Sequence, residues 1–190
     1  MQNQQNDLER GRSVLTIDRD TSTLLVVDFQ SKLMPAIDGS GAVVTNARRL
    51  IAAAEMFGVP VLFTEMNPES LGPTVSALSP AVGALFHKMF FDACRETGFI
   101  ERLHGRSDIV VAGCEAHVCV QQTVLGLLNA NRRVFVVRDA IGARKSESKE
   151  TAIRRLERHG AEIVTTEMVV FEWLETAKDP QLRKAVALIK

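Results

Sequence analysis

The chain has 190 residues, 46% hydrophobic and 24% charged, with 23 Lys plus Arg against 23 Asp plus Glu. These figures suit one domain with a sizeable core and exclude a wholly disordered chain. The zero charge balance argues against a dedicated nucleic-acid or anionic-membrane surface, and no apolar run approaches the ~20 residues needed to span a bilayer.

The three cysteines, Cys94, Cys114 and Cys119, are too few and too unevenly spaced for a disulfide framework. The polar opening MQNQQNDLERGRS lacks the apolar segment of a secretory signal. Both features point to a reducing, cytoplasmic compartment. Residues 1–13 read as a mobile arm ahead of a single domain over 14–190.

The apolar run 23–28 predicts a strand buried on both faces. Residues 41–57 follow with apolar side chains at helical spacing, and Gly58 stops the helix. A second strand spans 59–64. An irregular stretch from Glu65 to about Ala84, rich in Pro and Gly, predicts a long functional loop. Residues 85–88 predict a short strand and 92–103 a helix. Residues 108–113 predict a strand, 117–130 a helix and 134–139 another strand. Residues 147–158 predict a helix capped by Ser146, with acidic residues in its first turn and arginines near its end. A last strand covers 161–165. One or two helices close the chain over 168–190, where Val169, Val170, Phe171 and Trp173 offer apolar surface for self-association. Strands separated by such helices imply βαβ units, a mainly parallel sheet and a single three-layer α/β/α, Rossmann-like domain.

Ligands of open α/β sheets bind at the carboxyl ends of the strands, which directs attention to three residues. Cys119 lies six residues past Gly113, at the expected start of a helix. The positive end of the dipole there would lower its thiol pKa, and backbone N–H groups could hold an oxyanion. Asp28 ends the first strand, where an acid beside a thiol can take its proton and later activate water. Lys88, between His87 and Met89-Phe90-Phe91, could support both charges. A Cys–His dyad with His117 is disfavoured, because helical residues two apart do not face each other. A metal site from Cys114, His117 and Cys119 has no familiar ligand spacing. Gly39-Ser40-Gly41 lacks the strand and third glycine of a dinucleotide loop.

Taken together, Leu24-Leu25-Val26-Val27-Asp28-Phe29-Gln30, His87-Lys88 and Val111 through Thr123 resemble the isochorismatase-like cysteine hydrolase superfamily. Thr64-Glu65-Met66-Asn67-Pro68 with Leu71-Gly72-Pro73-Thr74 is most similar to the short isochorismatase domain-containing branch. The resemblance implies a catalytic triad of Asp28, Lys88 and Cys119. It also implies a cis peptide between Cys114 and Glu115, and an oxyanion hole from the N–H groups of Glu115 and Cys119. Phe29, Glu65, Phe91 and His117 would shape the substrate pocket.

The family's nicotinamidases carry an Asp-x-His metal motif after the second strand. This chain has Glu65-Met66-Asn67 there, so no metal or other cofactor is expected. True isochorismatases lack the nucleophilic cysteine that this chain retains. Hydrolysis of an amide or other C–N bond in a small molecule is therefore the leading expectation, in a homo-oligomer of two or more copies with no nucleic-acid or membrane partner. Two further readings stay open: vinyl-ether hydrolysis with Asp28 as the acid, and a non-catalytic oligomeric binding protein that keeps the fold.

Overall fold

Leu24 and Val26 turn to one side of the first strand and Leu25 and Val27 to the other, and all four are at most 1% exposed. That strand is therefore covered by a layer on each face. The computed structural model describes residues 15–190 apart from 82 and 104. The arm expected over residues 1–13 lies outside the described residues.

Six strands form one sheet: β1 (Ser22–Val27), β2 (Val61–Met66), β3 (Leu85–Lys88), β4 (Asp108–Cys114), β5 (Arg133–Gly142) and β6 (Glu162–Val164). Their order is β3-β2-β1-β4-β5-β6 and every pairing is parallel. The order reverses direction beside β1, between β2 and β4, which is the switch point where such sheets bind ligands. The helices are α1 (Ser40–Phe57), α2 (Pro68–Leu71), α3 (Gln121–Asn129), α4 (Ser146–Arg158), α5 (Thr166–Leu174) and α6 (Leu182–Ile189).

Two cores lie on opposite faces of the sheet. Val43, Ala47, Leu50 and Ala54 of α1 pack with Val169, Trp173 and Ala185 of α5 and α6 against Leu24, Val26, Val110 and Phe135. Val124 and Leu127 of α3 pack with Ala152, Ile153 and Leu156 of α4 against Leu25, Val27, Val111 and Val136. Gly58, at φ 71°, ends α1 with its N–H bonded to the carbonyls of Ala54 and Glu55, as the left-handed cap requires. Trp173, fully buried, donates its indole N–H to Ser22 Oγ at 3.2 Å and so ties α5 to β1.

Several local expectations are corrected. Residues 92–103 form no α-helix but two 3₁₀ turns, Ala93–Arg95 and Glu101–Leu103. The Asp92 carboxylate accepts from the Cys94 N–H and caps one turn, and Gly98 at φ 85° then breaks it. Ala93, Phe99 and Leu103 are buried all the same. The helix expected over 117–130 is split into a π-turn at Ala116–Val120 followed by α3. Ser146 is the first residue of α4 rather than its cap; Lys145 holds the cap position, without a side-chain bond. The stretch 65–84 is less irregular than expected: β2 runs on through Met66, α2 follows, and Thr74 bridges back to Gln30. Of the residues expected to offer a self-association surface, Val169, Val170 and Trp173 are spent in the chain's own core, and only Phe171 is exposed.

Candidate active site

The carboxyl ends of β1, β3 and β4 converge on one buried cluster. Asp28 leaves β1 at φ 53°, a left-handed turn that Asp tolerates better than most residues. Its N–H bonds to the Thr64 carbonyl at 3.1 Å. Lys88 is the last residue of β3 and reaches Asp28 Oδ2 with Nζ at 2.7 Å, both side chains fully enclosed. The other carboxylate oxygen, Oδ1, accepts the Thr64 hydroxyl at 2.6 Å.

Cys119 enters this cluster from the π-turn. The close approach of β4 to β1 depends on Gly113: a Cβ there would lie 2.5 Å from Val27 Cβ, 2.6 Å from Val27 O and 3.0 Å from Val120 Cγ2. The Glu115 carbonyl accepts from the N–H groups of both Val118 and Val120, at 3.0 and 3.2 Å, and so widens the turn that carries Cys119. The peptide joining Cys114 to Glu115 is cis. The Glu115 side chain is anchored by Arg144, whose Nε donates to Oε2 at 2.9 Å and whose backbone N–H donates to the same oxygen at 3.3 Å.

The expected low thiol pKa is not found. The Cys119 thiol is pushed up to about 12, first by burial and then by the Asp28 charge, with Lys88 only partly offsetting both. Desolvation of a thiolate thus outweighs the pull of a helix start here, and Cys119 rests as a neutral thiol in hydrogen-bonding reach of Asp28 and Lys88. Burial also pushes Cys94 and Cys114 up to about 12.

The four residues expected to shape a pocket fall in different places. Phe29 is 1% exposed and packs in the α1 core with Met34 and Ile37. Glu65 is buried and committed: Oε1 accepts from the Thr74 N–H and hydroxyl at 2.6 and 2.8 Å, and Oε2 lies 3.4 Å from His87 Nε2. Its role is to fasten the segment after α2. Phe91 remains exposed, with its carbonyl held by the Thr123 hydroxyl at 3.2 Å. His117 faces the start of α4, where it lines surface clefts with Lys145 and Ser148 that Asp28, Lys88 and Cys119 do not reach. Among the described residues, no group of three or more His, Cys, Asp or Glu side chains could hold a metal ion.

Three residues in this architecture were given no role from the sequence. Thr64 binds Asp28. Gln30, fully buried, donates to the carbonyls of Met66 and Gly72 and accepts from the Met66 N–H at 2.8 Å. Arg144 anchors Glu115. The available signal was polarity out of place: a threonine inside an apolar strand run, and a glutamine two residues past a strand-end aspartate.

The geometry agrees with what comparison with known proteins finds. An isochorismatase domain model matches residues 22–168. Isochorismatase domain-containing protein 2A of Mus musculus is 31% identical over 176 residues, covering 90% of this chain and 84% of that protein. Among solved structures, one described as the MAR1 ribonuclease of Caenorhabditis elegans superposes with a TM-score of 0.87 at 31% identity, covering 92% of both chains. The YcaC gene product of Escherichia coli, described as an octameric hydrolase of unknown specificity, gives a TM-score of 0.79 at 21% identity, covering 94% of this chain and 89% of that one. A domain match over most of the sequence, together with a relative 31% identical across 90% of the chain, shows that the chain belongs to the isochorismatase family.

Proposed function

We propose that the chain is a cysteine-dependent hydrolase of a small molecule, opening an amide or other C–N bond through a thioester acyl-enzyme, with Asp28, Lys88 and Cys119 as its catalytic residues. The observation that carries this reading is the fully enclosed Asp28–Lys88 pair, 2.7 Å apart, within hydrogen-bonding reach of the buried Cys119 thiol. A buried ion pair is an inefficient way to stabilise a fold, but beside a thiol it supplies a base and a compensating cation.

A thiol that rests neutral needs that base, because the thiolate is the nucleophile. Asp28 takes the proton as the sulfur attacks the substrate carbonyl. Lys88 balances the negative charge as it passes from carboxylate to sulfur. The N–H groups of Glu115 and Cys119 hold the developing oxyanion. Asp28 returns the proton to the leaving nitrogen, then draws one from the water that cleaves the thioester, and the sulfur finally recovers it. Met89, Phe90 and Phe91 follow Lys88 directly and are 64%, 43% and 48% exposed; they form an apolar rim for the substrate or for a second copy of the chain. The octamer described for the Escherichia coli protein supports a homo-oligomer. Three free thiols suit a reducing compartment such as the cytoplasm.

Turnover of a panel of small primary amides, with a short single-stranded RNA alongside, tests this in wild type and Cys119→Ala. Amide cleavage lost in the variant is the expected result. Cleavage of any substrate at near wild-type rate by Cys119→Ala would sink the covalent mechanism and favour acid catalysis by Asp28, as in vinyl-ether hydrolysis.

A further inference from the structure

We infer that Thr64 is a positioning residue for the proton transfer, holding the Asp28 carboxylate in one state and its acid form in the other. The inference rests on the cysteine mechanism above. Thr64 sits on β2 in register with Val27 and grips the next residue, Asp28, twice. Its carbonyl accepts the Asp28 N–H at 3.1 Å and its hydroxyl donates to Oδ1 at 2.6 Å. Thr64 is 1% exposed and Asp28 fully buried, so solvent does not stand in for either bond.

The two side-chain partners of Asp28 are chemically different. Lys88 offers an ammonium, which only donates; Thr64 offers a hydroxyl, which donates and accepts. While Asp28 is a carboxylate, it accepts from both, one on each oxygen. In the acylation step the S–H bond breaks and an O–H bond forms on Asp28. At the same time the sulfur bonds the carbonyl carbon and the carbonyl π pair moves to oxygen. The new O–H cannot sit on the Lys88 side without opposing the ammonium hydrogens. On the Thr64 side, the hydroxyl turns about its C–O bond and accepts it. The proton carried between steps therefore sits on the Thr64 side, and the clamp keeps the carboxyl plane in one orientation through the cycle.

The test uses p-nitrophenyl acetate, an activated acyl donor whose burst of p-nitrophenolate reports acylation of a thiol. Thr64→Val keeps the shape and removes the hydroxyl; Thr64→Ser keeps the hydroxyl and removes the methyl. General-base assistance is commonly worth ~10²–10⁴ in rate, and loss of its orientation is expected to slow the burst by about 10- to 100-fold in Thr64→Val, with Thr64→Ser within about 3-fold of wild type. A merely structural threonine predicts the reverse order, since valine fills the same space. A burst that needs Cys119 yet is equal in wild type and Thr64→Val overturns this inference alone. A burst that survives Cys119→Ala overturns the thiol mechanism and this inference with it. Should Thr64→Val not fold, Thr64→Ala takes its place against Thr64→Ser.

Discussion

The Asp28–Lys88 pair sets up a test of whether the site was built for chemistry rather than for stability. Lys88 and Asp28 are 2.7 Å apart, and neither side chain touches solvent. Lys88→Met leaves the buried carboxylate without a counter-charge, held by the Thr64 hydroxyl, and Asp28→Asn leaves the buried ammonium without one, facing neutral acceptors such as the Phe90 carbonyl at 3.5 Å. Breaking a buried pair from one side costs about 3–5 kcal/mol, because a charge is left uncompensated, whereas removing both charges is often close to neutral. With a urea m-value of about 2–3 kcal/mol per M, each single variant should lower the unfolding midpoint by about 1–2.5 M. The double variant should return to within about 1 M of wild type while remaining inactive. Equilibrium urea unfolding, followed by far-UV circular dichroism, gives all four corners of the cycle. The reasoning is refuted if either single variant unfolds within a few tenths of a molar of wild type, or if the double variant shows the sum of the two losses.

Other outcomes follow from the same structure. Because burial pushes Cys119 up to about 12, its thiolate fraction below that value falls with decreasing pH. Iodoacetamide labelling of Cys119, read by peptide mass mapping, should therefore rise about tenfold per pH unit from 7 to 10. A plateau below pH 8 would contradict the buried neutral thiol. Gly113→Ala places a methyl 2.5 Å from Val27 Cβ and 2.6 Å from Val27 O, so thermal unfolding should show a loss of at least ~1–3 kcal/mol together with loss of Cys119 reactivity. Gly41→Ala is the counterpart: nothing lies within 4 Å of the added carbon in α1, and a gain of about 0.5–1 kcal/mol is expected from helix propensity. An unchanged melting temperature in Gly113→Ala would show that β1 and β4 can part without penalty.

Much of the architecture was legible in the chain itself. The runs 23–28 and 108–113 read as strands, the first as one buried on both faces, because of the unbroken apolar stretches Leu24–Val27 and Ile109–Ala112, and β1 and β4 lie there at the centre of the sheet. The spacing Val43, Ala47, Leu50, Ala54, closed by Gly58, specified α1 to within a residue at its start. Asp28, Lys88 and Cys119 stood out as polar or nucleophilic groups at strand ends. These are local signals, carried by residues close together along the chain.

What the tertiary structure decided is everything that depends on atoms distant in sequence. Residues 92–103 become two 3₁₀ turns tied to α3, where the Thr123 hydroxyl accepts the Ala93 N–H at 3.1 Å and Ala93, Phe99 and Leu103 are buried in the core that α3 also lines. Val169, Val170 and Trp173 look like surface to be covered, yet α1 and β1 already cover them. Thr64 becomes the partner of Asp28 only when β2 pairs with β1, and Arg144 reaches Glu115 only when β5 pairs with β4. The state of Cys119 is the clearest case. Its place after a strand predicts a thiol of lowered pKa, but enclosure beside a carboxylate determines the opposite, since desolvation is set by what packs around the sulfur and not by its neighbours along the chain.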